Sequence, residues 1–174
     1  MTERILLVGM MGAGKTTTGR LLAEKLGWEY LDSDAEVERA TGLTVPALFA
    51  RDGEGAFREA ETDALRRACA STGPVVISVA GGAVLRAENR ALLRACGRVV
   101  WLRARVETLA GRVGDGAGRP LLGGDPFAAL SRLDAVRRPL YAVAADRIID
   151  VDELGPDEVA AQIVDGAAHG VGHA

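Results

Sequence analysis

Residues Gly9-Met10-Met11-Gly12-Ala13-Gly14-Lys15-Thr16 leave the chain little choice of architecture. The apolar run Ile5-Leu6-Leu7-Val8 before them is short enough for a buried strand. From Thr17 to Leu26 the spacing turns helical, with Leu21, Leu22, Ala23 and Leu26 on one stripe. Strand, G-x-x-x-x-G-K-[ST] loop and helix, in that order, let consecutive backbone N–H groups turn inward around phosphate oxygens. The helix N-terminus adds partial positive charge. Lys15 is placed to reach the β- and γ-phosphates and the Thr16 hydroxyl to ligate Mg²⁺. The pattern implies a triphosphate cradle built from Gly12, Ala13, Gly14, Lys15, Thr16 and Thr17.

Beyond this opening, strands and helices alternate. Gly27 stops the first helix, and Glu29-Tyr30-Leu31-Asp32 reads as a second strand. A helix over Asp34 to Arg39 ends near Gly42, and Thr44 caps another from Pro46 to Arg51. Gly53 and Gly55 punctuate before a longer helix to Ala70. Val75 to Val79 is apolar enough for a strand covered on both faces. Helix Glu88 to Ala95, strand Arg98 to Leu102 and helix Val106 to Arg112 follow. The stretch Gly114 to Gly124 is glycine-rich and reads as a mobile loop. Asp125-Pro126 then starts a helix that Pro139 is expected to interrupt. Ile148 to Val151 makes a fifth strand and Pro156 to Val164 a closing helix. This alternation predicts a three-layer αβα fold, a five-stranded parallel sheet with helices on both faces. One domain is expected over 1–166, with a tail over 167–174 that includes His169 and His173.

A net charge of −3 gives no electrostatic footprint for nucleic acid. Glu3 is wrong for a signal peptide's basic start, and the apolar stretch beside it runs directly into the phosphate loop. Val75 to Leu85 is too short to span a bilayer. A cytoplasmic protein off the membrane is the expectation. Cys69 and Cys96 lie in no CxxC and beside no histidine, so they read as two reduced, partly buried thiols.

Bound Mg·ATP needs an acid near Thr16, usually at the end of an apolar strand. The third strand ends instead in Ala80-Gly81-Gly82, whereas the second ends in Asp32 and Asp34, spaced to point the same way. Asp32 is therefore assigned to the Mg²⁺ shell and Asp34 to an acceptor substrate, although Asp34 also suits a helix cap. Arg58 and Glu61 share a helix face; taken alone they read as a surface ion pair. Arg137 alone reads as helix-surface charge, and Arg119 as a solvated loop residue. Even so, an arginine pair is the natural clamp for a carboxylate, and Arg119 in its glycine-rich loop is placed to swing onto a transferring phosphoryl group.

The set Gly9-x-Met11-Gly12-x-Gly14-Lys15-Thr16, Asp32-x-Asp34, Phe57-Arg58-x-x-Glu61, Gly81-Gly82, Arg119-Pro120-Leu121-Leu122 and Arg137-x-Pro139-Leu140-Tyr141 resembles the shikimate kinase family in order and spacing. The resemblance implies a nucleoside-monophosphate-kinase-like P-loop fold and transfer of the γ-phosphoryl of ATP to the 3-hydroxyl of shikimate. It implies that Asp34 holds and activates the ring hydroxyls, that Arg58 and Arg137 bind the carboxylate, and that Glu61 steadies Arg58. It also implies that the backbone at Gly81 and Gly82 contacts the ring. By the same resemblance, Lys15 and Arg119 would stabilise the transferring group, Thr16 and Asp32 would serve Mg²⁺, and Arg112 and Pro156 would flank adenine. A substrate-binding segment over 33–62 and a lid over 112–125 follow from the same resemblance, with a monomer expected. One departure is Ala80, where the family carries a further glycine. Two rivals stay open. One is a kinase of another small polyol acid, such as gluconate; the other is a nucleotide-binding regulatory module, which usually has the third-strand acid that this chain lacks.

Overall fold

The computed structural model describes residues 3–114 and 122–168. Its strands are β1 (Arg4–Val8), β2 (Glu29–Asp32), β3 (Val75–Ser78), β4 (Arg98–Arg103) and β5 (Arg147–Asp150). They form one five-stranded sheet in the order β2-β3-β1-β4-β5, parallel at every pairing. The helices are α1 (Lys15–Leu26), α2 (Ser33–Thr41), α3 (Val45–Cys69), α4 (Ala87–Cys96), α5 (Val106–Val113), α6 (Pro126–Ala144) and α7 (Pro156–Ala168).

Composition sorts the strands by position. Val75, Val76 and Ile77 of β3 and Leu6 and Leu7 of β1 are fully buried, as central strands sandwiched between helices require. The edge strands β2 and β5 keep polar or half-exposed positions. The connection after β1 leaves towards β2 and the one after β4 towards β5. The loops therefore diverge at the strands' carboxyl ends, opening the crevice where such sheets bind ligands. Besides the main core, Val37, Leu48, Phe57 and Ala64 form a smaller cluster that holds α2 against α3.

Local chemistry explains most boundaries. Thr44 Oγ1 accepts the Ala47 N–H to cap α3, and Asp125 does the same for α6 with Ala128. Inside α3, Gly53 takes φ 82° and ψ 178°, so the run is two helices joined at a break, where the sequence places its punctuation. The expected interruption of α6 at Pro139 is not found, since the helix continues to Ala144. Proline costs that helix one hydrogen bond, but fully buried Tyr141 and Ala144 beyond it anchor the last turns in the core.

The cysteine expectation is also corrected. Cys69 and Cys96 form a disulfide, with Cα atoms 5.5 Å apart. They end α3 and α4, and a separation of 27 residues carries no pairing signal by itself. Only the packing of those helix ends brings the thiols together. Helix α7 reaches Ala168, beyond the expected boundary at 166, and residues 169–174 lie outside the described set. Among the described residues no helix is long and apolar enough to cross a membrane.

Candidate active site

The phosphate loop leaves β1 and enters α1 through Gly14, whose φ of 91° and ψ of 18° lie in the left-handed region. No side chain caps α1 and no acid occupies its first turn, so its leading N–H groups stay available to an anion. Lys15 Nζ donates to the carbonyls of Gly9 at 2.8 Å and Met10 at 3.0 Å, which holds the ammonium over the loop. Ser78 Oγ, at the end of β3, donates to the Lys15 carbonyl at 2.9 Å and ties the loop's exit to the sheet. Arg112 reaches back from α5 to the carbonyls of Gly12 (3.3 Å) and Val151 (3.0 Å). It lines one cleft together with Pro156, Gly12, Ala13, Gly14, Thr16 and Thr17.

Asp32, ending β2, uses both carboxylate oxygens. Oδ1 accepts the N–H groups of Asp34 (2.9 Å) and Ala35 (3.3 Å), which makes Asp32 the cap of α2. Oδ2 accepts from Thr16 Oγ1 at 3.3 Å and from the Tyr30 hydroxyl at 3.2 Å. Asp34 is thus freed from capping. Its Oδ1 is buried without a partner, and burial, followed by the charge of Asp32, raises its pKa to about 6. A carboxylate at that value ionises near neutral pH yet still accepts a proton well, as a general base needs.

The donors near Thr16 suit Mg²⁺. One hydroxyl and one carboxylate beside a phosphate cradle are hard oxygen ligands, and Mg²⁺ prefers one or two such groups completed by phosphate and water. Among the described residues no cluster of three or more His, Cys, Asp or Glu side chains offers an all-protein cage. The residues fit a cation shared with a bound triphosphate.

On α3, Arg58 Nη1 donates to both Glu61 oxygens at 3.0 and 2.9 Å, and Nη2 reaches Glu54 at 3.3 Å. Arg58 is 7% exposed and Glu61 1% exposed, so the surface-pair reading does not hold. Burial drives Glu61 up to about 7 although Arg58 pulls the other way. Arg137 on α6 is 2% exposed, which likewise overturns its reading as surface charge. Asp34 and Arg137 both act electrostatically on Glu61, so the four groups belong to one cluster. The Nε atoms of Arg58 and Arg137 are buried without partners, and native structures leave few polar atoms in that condition. Opposite them, a methyl on Gly82 would meet Arg58, with Cζ only 2.7 Å away.

Asp32, Asp34, Arg58, Glu61 and Arg137 line the same cleft of about 930 Å³ as the phosphate loop. Arg119 lies outside the described residues. Sequence reading passed over several residues that shape the site: Tyr30 on Asp32, Ser78 under the loop, and Ser33, whose Oγ accepts the Ala80 N–H at 2.8 Å. Ser78 was the most discoverable, being a hydroxyl in an otherwise apolar strand.

A family model described as shikimate kinase matches residues 11–168. The chain is 47% identical over 163 residues to the shikimate kinase of Pseudomonas syringae pv. tomato, covering 93% of this chain and 94% of the relative. It is 49% identical to that of Symbiobacterium thermophilum, covering 92% and 94%. Among solved structures, shikimate kinase from Acinetobacter baumannii in complex with shikimate superposes with a TM-score of 0.95 at 39% identity, covering 99% of this chain and 97% of that one. A gluconokinase from Sinorhizobium meliloti, at 18% identity and TM-score 0.55 with 98% of each chain covered, shares the fold alone.

Proposed function

The chain belongs to the shikimate kinase family and is a small-molecule kinase, and from that membership we propose how its own residues carry the γ-phosphoryl of ATP to the 3-hydroxyl of shikimate. The observation that carries this reading is the convergence of Asp34, Arg58, Glu61 and Arg137 on the cleft that also holds the phosphate loop. Arg58 and Arg137 grip the carboxylate of the acceptor with charge-assisted hydrogen bonds. Glu61 holds Arg58 in place for this, and the backbone at Gly81 and Gly82 walls the ring. Asp34 orients the attacking hydroxyl and takes its proton.

On the donor side, the loop N–H groups over Gly12 to Thr17 cradle the phosphates, while Arg112 and Pro156 flank the adenine. Lys15 and Arg119 neutralise charge on the phosphoryl group in flight. Thr16 and Asp32 would hold Mg²⁺, which would offset the negative charge of the phosphates when bound. Most of the catalysis is alignment of acceptor and donor. Closure of the 112–125 segment over the cleft excludes water, which otherwise competes as acceptor. We further infer that the enzyme acts as a monomer in the cytoplasm, where the ATP it consumes is available.

Coupled ADP release, measured with ATP, Mg²⁺ and shikimate against the same mixture without acceptor, tests the reading. Turnover that depends on shikimate, and fails with gluconate, is expected. Equal ADP release with and without shikimate would overturn it.

A further inference from the structure

Three buried side chains from three different elements hold the backbone that follows β3. Ser33 of α2 accepts the Ala80 N–H at 2.8 Å, and Asn89 of α4 donates to the Ala83 carbonyl at 2.9 Å. The third, Tyr141 of α6, donates its hydroxyl to the Gly81 carbonyl at 2.6 Å. Of the three, Tyr141 alone also meets a member of the carboxylate clamp. It lies one helical turn after Arg137, whose positive charge acts on the phenol, and the two side chains meet at Gly81. A methyl placed on Gly81 would sit 3.3 Å from Arg137 Nη1 and 3.4 Å from the Tyr141 hydroxyl, so the three groups close around one point.

The chemistry of the phenol gives this contact a direction. A tyrosine hydroxyl has one hydrogen to donate. Here it goes to Gly81, which leaves the oxygen's lone pairs to a cationic neighbour. Holding the Gly81 carbonyl also holds the Gly82 N–H, which points the opposite way across the same planar trans peptide. The ring has no freedom to leave, being fully buried and packed against Trp101 with centroids 5.6 Å apart.

We propose that Tyr141 is a positioning residue for the acceptor, its hydroxyl coupling the Arg137 guanidinium to the glycine wall at Gly81. The proposal rests on the shikimate reading and adds to it the group that keeps clamp and wall in mutual register. Tyr141 does not touch the acceptor; it acts through Arg137 and the Gly81–Gly82 peptide.

Tyr141→Phe keeps the ring and removes the hydroxyl. Its KM for shikimate is expected to rise about tenfold, the scale of one charge-assisted hydrogen bond. The KM for ATP and kcat at saturating shikimate should stay within about twofold, the signature of lost acceptor binding. Calorimetric titration of shikimate into the nucleotide-free enzyme should show the same loss. Trp101→Phe serves as the packing control, since it loosens the ring's support without touching the hydroxyl; its Tm should fall while its KM for shikimate holds. An unchanged shikimate KM in Tyr141→Phe would overturn the proposal. So would parallel rises for shikimate and ATP, or the same acceptor defect in Trp101→Phe. Failure of the parent enzyme to use shikimate would instead bring down the acceptor reading, and this proposal with it.

Discussion

Asp34 and Glu61 hold their protons at pH values where exposed carboxyl groups have lost them, because burial disfavours their charged forms. For activity, kcat/KM with shikimate should drop about tenfold per pH unit below about 6, as Asp34, the base we propose, is protonated. For stability the sign is opposite. Each folded-state pKa lies above its unfolded value, so the folded protein binds more protons between roughly pH 4 and 7. Stability should therefore fall as pH rises through about 6 and about 7, which urea denaturation at pH 5 and 8 would detect. Asp34→Asn and Lys15→Ala should each lower kcat by at least two to four orders of magnitude with unchanged circular dichroism; near-normal rates in either variant would remove that residue from catalysis. Arg58→Ala and Arg137→Ala should raise the KM for shikimate more than that for ATP. The types and spacings of these residues were legible in the chain, but their burial was not. Arg58 and Arg137 both looked like surface charge, since an arginine on a helix declares its environment only when its neighbours are in place.

Helices and loops gave themselves away wherever a local rule decides their ends. Thr44 and Asp125 behave as the caps their positions imply, and Gly53 breaks α3 because its backbone conformation is closed to residues with a side chain. Gly53→Ala should destabilise the protein by about 1–3 kcal/mol in denaturant melts. A weaker shikimate affinity is expected alongside, since the break lies five residues before Arg58. Local rules failed where tertiary contacts overrode them. Pro139 did not stop α6, because the turns beyond it are sunk in the core. Asp34 did not cap α2, because the helix starts earlier, at Ser33, and Asp32 at the strand end accepts the N–H groups of Asp34 and Ala35. That exchange bears on the proposed function: the acid that caps the helix also meets Thr16, and the acid relieved of capping lines the cleft where we place the acceptor.

At the scale of the whole molecule, the Cys69–Cys96 bond pins the ends of α3 and α4, and α3 carries Arg58 and Glu61. Reduction should lower stability by about 2–4 kcal/mol, read as a drop in Tm on adding dithiothreitol. If Tm is unchanged, the bridge contributes nothing to the fold. The alternating pattern of strands and helices, the phosphate loop and the spacing of the site residues were all set by the chain itself. They depend on contacts within a turn or two, or on the two-sided burial that an apolar strand demands anywhere. Tertiary structure alone decided which helix ends meet to join the cysteines. It decided that Arg58, Glu61 and Arg137 are buried rather than solvated, and that Tyr141 bridges α6 to the loop after β3. Those outcomes turn on side chains far apart in sequence displacing water from one another, and no local spacing encodes that.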